Sequence, residues 1–230
     1  MMIECNNLVL GYKDPLTEPF SLSIEDNKWL GIIGENGSGK STFFRTILSE
    51  IKPLSGTIRI FDKTPGVFNR LISYIPQERE INLADKMTGF TLIKSCHSAW
   101  KYGFDCLNNK LNHRIYELAE LVGATSYILQ PFNNLSGGQK KKIFLAQALI
   151  NKPKLLLLDE PLADLDTKSK HHFIQTLRDI NAKQKIGLLM ISHDMHEIAS
   201  YLDAFIHLKK SKVHYCSELP CIKEDSYVGL

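Results

Sequence analysis

Nine residues, Gly34-Glu35-Asn36-Gly37-Ser38-Gly39-Lys40-Ser41-Thr42, bring three glycines, a lysine and two adjacent hydroxyls into one short stretch. Gly34, four residues, then Gly39-Lys40-Ser41 is the spacing of a phosphate-binding loop. Glycines let the backbone turn successive N–H groups inward without Cβ clashes, which makes a concave nest for anionic oxygens. A helix beginning near Lys40 adds about half a positive charge at that end. In such a loop the Lys40 ammonium reaches the β- and γ-phosphates of a nucleotide, and the Ser41 hydroxyl ligates Mg²⁺.

A second chemical feature lies far along the chain. Leu155-Leu156-Leu157-Leu158-Asp159-Glu160 reads as a buried strand ending in two carboxylates. At the C-terminal end of a parallel strand, both face the same edge as the phosphate-binding loop. Asp159 would hold Mg²⁺ through its water shell. Glu160 would orient and polarise an attacking water near the γ-phosphate.

Elements of regular spacing must position these groups. An apolar strand over 28–33 leads into the loop, and Phe43, Phe44, Ile47, Leu48 and Ile51 predict a helix over 40–50. Strands are expected at 2–10, 20–24, 57–61, 71–75, 155–158 and 186–191, with a turn at Pro53–Gly56. Between about 85 and 135 the pattern turns helical, as at Ile115, Leu118, Ala119 and Val122, and reads as an all-helical insertion. Helices follow at about 138–150, 167–181 and 194–202, and Ala204–Leu208 with Val213–Tyr215 reads as a terminal hairpin.

Bulk properties exclude several classes. The 230 residues suit one domain, and 43% hydrophobic with 23% charged content is ordinary for a soluble globular chain. A net charge of +3, from 28 basic and 25 acidic residues, gives no basis for a nucleic-acid partner. No run of 18 apolar residues is present to span a membrane, and no secretory leader is expected. Cys5, Cys96, Cys106, Cys216 and Cys221 are odd in number with no C-x-x-C pair, which fits a reducing compartment.

With these residues in view, the chain resembles the ATP-binding cassette (ABC) family over nearly its whole length. Leu135-Ser136-Gly137-Gly138-Gln139 is identical to that family's signature and stands between the phosphate-binding loop and the acidic strand. Gln77, after strand 71–75, is similar to the family's Q-loop glutamine, which ligates Mg²⁺. Pro161-Leu162-Ala163-Asp164-Leu165-Asp166 resembles the D-loop; Asp166 also stands where it would N-cap helix 167–181. His193, in Ile191-Ser192-His193-Asp194, resembles the switch histidine that touches the γ-phosphate, and Tyr12 resembles the aromatic that stacks on adenine.

The resemblance implies an α/β fold: a P-loop NTPase (RecA-like) core with an antiparallel β subdomain at the N-terminus and an inserted α-helical subdomain. Residues 1–84 and 136–230 would form the core with the β subdomain, and about 85–135 the insertion. The implied reaction is ATP + water → ADP + phosphate with ATP and Mg²⁺, carried by Lys40, Gln77, Glu160 and His193. Ser136–Gly138 open a helix and offer a second set of backbone N–H groups. In this family they act in trans, so each ATP lies in a head-to-tail homodimer between one chain's loop and the other's signature. Integral membrane permease subunits and a solute-binding protein are further implied partners, on the cytoplasmic face of the membrane. Tyr74-Ile75-Pro76-Gln77-Glu78-Arg79-Glu80-Ile81-Asn82 most resembles the zinc/manganese-uptake branch, with iron-chelate cassettes nearby. The Phe-Pro of that branch is replaced by Ala84-Asp85-Lys86-Met87. A soluble cassette of iron–sulfur-assembly type is the other reading. Lys140-Lys141-Lys142, at the start of the signature helix, oppose its dipole; either one lies near bound phosphate or all three form a solvated basic face.

Overall fold

The leucine run at 155–158 shows why uninterrupted apolar strands form in this chain. In a computed structural model, which describes residues 1–67, 69–77, 86–98, 109–192 and 198–216, these leucines belong to a central strand. Strand β6 (Leu155–Asp159) is hydrogen-bonded in parallel between β5 (Ile72–Ile75) and β7 (Gly187–Ile191). Leu155 and Leu157 pack with Phe43, Phe44 and Leu189; Leu156 and Leu158 pack on the opposite face with Leu188, Met190 and Ile174. With both faces covered, the first polar residues come only at the C-terminal end of the strand.

The main sheet has the order β5-β6-β7-β3-β8-β9, where β3 is Trp29–Gly34, β8 Ala204–Lys209 and β9 Lys212–Cys216. Only β9 runs antiparallel. One face packs against helix α1 (Lys40–Ile47) and a three-stranded antiparallel sheet, β2-β1-β4 (Phe20–Ile24, Ile3–Val9, Ser55–Ile60). This smaller sheet covers the core with one side only, so Phe20, Leu22 and Ile24 are buried while Ser21 and Ser23 are exposed. The other face packs against α2 (Gly89–Ser98), α3 (Asn109–Leu121), α4 (Gly137–Leu149) and α5 (Thr167–Gln184).

The mixed sheet beside an N-terminal antiparallel sheet is the fold class expected above. Several boundaries differ. Helix α1 stops at Ile47 because Ser49 turns left-handed (φ +63°), not near residue 50. Helix α5 runs to Gln184 and ends on left-handed Lys185 (φ +53°). Strand β4 begins at Ser55, inside the expected turn. The C-terminal pair forms the expected antiparallel hairpin, and β8 also lies parallel beside β3, with Gly34 opposite Leu208. That pairing is invisible locally because it joins residues far apart in sequence. Residues 194–197 of the expected helix at 194–202 lie outside the described residues, and Ala199–Tyr201 is one 3₁₀ turn. Among the described residues no helix is long and apolar enough to cross a membrane, and Cys5, Cys96 and Cys216 are free thiols.

Candidate functional site

The loop after β3 is shaped by close approach. A β-carbon on Gly34 would lie 2.4 Å from the Leu208 carbonyl oxygen, so only glycine lets β3 pass β8 at this point. Gly39, in left-handed conformation (φ +105°), occupies the N-cap position of α1 without a side-chain cap. The first turn of α1 also carries no acidic residue, so its amides are left for an external anion. Inside the loop the Ser38 hydroxyl is buried with no hydrogen-bond partner among the described residues. Lys40 folds back over the loop and donates to the Gly34 and Glu35 carbonyls at 2.7 and 2.8 Å. Burial lowers the pKa of its ammonium, while Glu160 and Asp159 oppose that shift.

The acidic pair enters at the same edge, with β7 between β6 and β3. Asp159 is buried and accepts a hydrogen bond from the Tyr74 hydroxyl at 3.2 Å. Burial pushes its carboxyl above the ordinary range; Tyr74, Lys40 and Arg45 pull it back. The Tyr74 phenol is itself pushed up to about 12, by burial first and then by Asp159. Glu160 leaves the strand in a left-handed turn (φ +49°), its amide donating to the Ile191 carbonyl at 2.9 Å. A non-glycine residue in this region is strained by order 1 kcal/mol, and such strain gathers where a side chain must be aimed.

These groups surround one cavity of about 500 Å³. Asn36, Gly37, Gly39, Lys40, Ser41 and Thr42 form its floor. Asp159, Glu160, Gln77 and the exposed Tyr12 stand around it. Gly34, Glu35 and Ser38 complete the loop. Ser41 hydroxyl, Gln77 amide and Asp159 carboxylate are hard oxygen donors of the kind that suits Mg²⁺. His193 lies outside the described residues.

Two residues at this site were not singled out from the sequence. Arg45 donates to the Tyr12 hydroxyl at 3.1 Å and so steadies an otherwise exposed ring. Its signal was its position four residues after Ser41, on the same helix face. Tyr74 pairs in register with Leu157, and Asp159 lies two residues further along that strand face. Tyr74→Phe is expected to raise the Mg²⁺ concentration for half-maximal ATPase activity by roughly two- to tenfold, the size of a net hydrogen bond of about 0.5–1.5 kcal/mol. A magnesium titration checks this, and an unchanged requirement would mean that Tyr74 does not orient Asp159.

The signature residues do not reach this cavity. Ser136 N-caps α4 in a capping box: its hydroxyl accepts from the Gln139 amide at 3.3 Å, and its own amide donates to the Gln139 side chain at 2.9 Å. Of the amides that the sequence offered to an anion, that of Ser136 is therefore engaged within the chain, leaving those of Gly137 and Gly138. Ser136, Gly138 and Gln139 border a separate cavity of about 320 Å³. Asp166 N-caps α5, accepting from the Ser169 amide at 3.0 Å and hydroxyl at 2.6 Å, which hold its carboxyl below the usual range. The three lysines separate. Lys140 sits 5.7 Å over the Phe132 ring, Lys141 is buried and donates to the Ala163 carbonyl, and Lys142 borders the smaller cavity. They form no common basic face, and none borders the loop cavity.

A parallel sheet with an uncapped, glycine-cradled helix start and a carboxylate pair at the same edge defines a nucleotide-phosphate-binding ATPase core. The model of the ABC transporter family matches residues 17–163. The chain belongs to that family and is an ATP-hydrolysing cassette. It is 32% identical to the zinc uptake system ATP-binding protein ZurA of Listeria innocua, over 91% of this chain and 83% of that protein. It is 29% identical to the high-affinity zinc uptake system ATP-binding protein ZnuC of Bacillus subtilis, over 92% of each. In fold it matches cbiO1 of Clostridium perfringens, part of the ABC transporter complex cbiONQ, with a TM-score of 0.85 at 23% identity over 97% of this chain and 91% of that one.

Proposed function

We propose that this chain is the nucleotide-binding subunit of an ABC importer, powering uptake of a metal ion through separate membrane permease subunits. The cargo reading is supported by the likeness to zinc and manganese uptake cassettes over some nine-tenths of the chain. The catalytic reading is carried by one geometric observation: the loop cavity gathers Lys40, Ser41, Gln77, Asp159 and Glu160 but no signature residue. A complete site therefore takes Ser136, Gly137, Gly138 and Gln139 from a second copy. ATP would lie between the two chains, with Tyr12 under the adenine and Asp166 at the facing loop.

In this arrangement Lys40 and the α1 amides bind the phosphates, and Glu160 accepts a proton from the attacking water. The phosphorus–oxygen bond to ADP breaks as the new one to water forms, and Gln77 and His193 contact the reacting end. Ser41, Asp159 and Gln77 would hold Mg²⁺, which when bound would supply positive charge to neutralise the phosphate groups. Closure on ATP and opening after hydrolysis is differential binding between two states, which lets the reaction drive motion. The helical segment of about 85–135 is the docking surface for the permease at the inner face of the membrane. Affinity purification from membranes should recover a multi-span permease, and deletion of the gene should impair growth when zinc or manganese is scarce. Recovery only with soluble assembly proteins, and growth indifferent to metal supply, would overturn the importer reading.

A further inference from the structure

The cavity beside the signature has a lining unlike that of the loop cavity. Tyr127, Lys142, Lys168 and His172 border it, and among its described lining residues there is no Asp or Glu. Lys142 projects from α4, Lys168 and His172 stand four residues apart on α5, and Tyr127 follows α3. Tyr127 is 7% exposed, and its hydroxyl is buried without a hydrogen-bond partner among the described residues. No described residue forms a hydrogen bond or ion pair with the Lys142 or Lys168 ammonium. A β-carbon placed on Gly123 would lie 3.5 Å from Lys142 Nζ and 4.0 Å from His172 Nε2, so the two nitrogens approach the same point of the chain.

Among the described residues the Tyr127 hydroxyl and the two ammonium groups find no acceptor. A buried hydroxyl left unpaired is destabilising, and the partly buried Lys142 ammonium without a counter-charge adds to that, while Lys168 and His172 stand at the exposed mouth. Burial alone lowers the pKa of Lys142, with no neighbouring carboxylate opposing it. Burial also pushes the Tyr127 phenol up to about 12, which keeps it a donor at neutral pH. Asp166, the N-cap of α5, is engaged with Ser169. The amides of Ser136 and Gln139 are engaged in their capping box, so side chains set the character of the cavity.

We propose that this cavity is a second anion site of the chain. It takes a free tetrahedral oxyanion of the inorganic phosphate class on the Tyr127 hydroxyl, the Lys142 and Lys168 ammonium groups and the His172 imidazole. The site lies within one chain, so it stands or falls independently of the shared-nucleotide reading.

Inorganic phosphate titrated into nucleotide-free protein, followed by thermal unfolding at constant ionic strength, tests it. Lys40→Ala removes the main cation of the phosphate-binding loop and serves as the background. Phosphate should raise its unfolding midpoint saturably, as a ligand of the folded state does, whereas chloride should not. Adding Lys142→Met and Lys168→Met should weaken the apparent affinity by about tenfold or more, the size of a charge-assisted hydrogen bond. Should that variant fail to unfold cooperatively, Tyr127→Phe, which conserves shape, should still weaken affinity several-fold. An unchanged phosphate response in these variants would overturn the proposal, as would an equal response to chloride or none at all. Phosphate binding that requires nucleotide would assign the cavity to the terminal phosphate of ATP and likewise overturn a free-oxyanion site.

Discussion

Glu160→Gln should accumulate as an ATP-bound dimer with turnover lowered by roughly 10²–10⁴-fold, the usual worth of a positioned general base. The side chain keeps its size, and the backbone that aims it is held by the Ile191 carbonyl, so the fold should be unaffected. What is lost is a carboxylate able to accept a proton from water. ATP would still bind the loop of one chain and the signature of another, and the closed state would persist because hydrolysis no longer opens it. Light scattering on size-exclusion chromatography with saturating Mg²⁺ and ATP distinguishes dimer from monomer. A monomeric Glu160→Gln protein under those conditions would contradict the shared site.

Lys40→Ala should abolish measurable hydrolysis, with a loss of roughly 10²–10³-fold or more from removing a charge aimed at the transferring phosphoryl group. The lysine is already buried and poised over the Gly34 and Glu35 carbonyls. Its pKa is lowered by burial but supported by Asp159 and Glu160, so it meets phosphate as a preorganised cation. Unlike Glu160→Gln, this variant should also bind ATP weakly and should not form the trapped dimer. Nucleotide-binding titrations beside steady-state rates separate the two effects. Wild-type turnover in Lys40→Ala would refute the assignment of the loop.

Local chemistry made the phosphate-binding loop, the acidic strand end and the signature readable, because each is a short run whose types and spacing act through adjacent backbone. Burial on both faces was likewise legible in Leu155–Leu158. The placement of β8 beside β3 was not, since a parallel pairing across some 170 residues leaves no local trace. Tyr74 was missed for the same reason: its partner Asp159 is 85 residues away and lies on the neighbouring strand. The three consecutive lysines looked like one feature, yet successive helix positions point about 100° apart and meet three different surroundings.

The sequence by itself determined the family, the phosphate chemistry and the residues able to perform it, because those depend on short-range backbone geometry and side-chain type. Tertiary structure alone decided which of those residues meet. Sheet order brings the acidic pair to the same edge as Lys40 with only β7 between β6 and β3, while α4 carries the signature to a different cavity of the same chain. It also brought Tyr127, Lys142 and Lys168 to one cavity and left the Tyr127 hydroxyl buried without a partner among the described residues, a consequence of packing that no local spacing encodes.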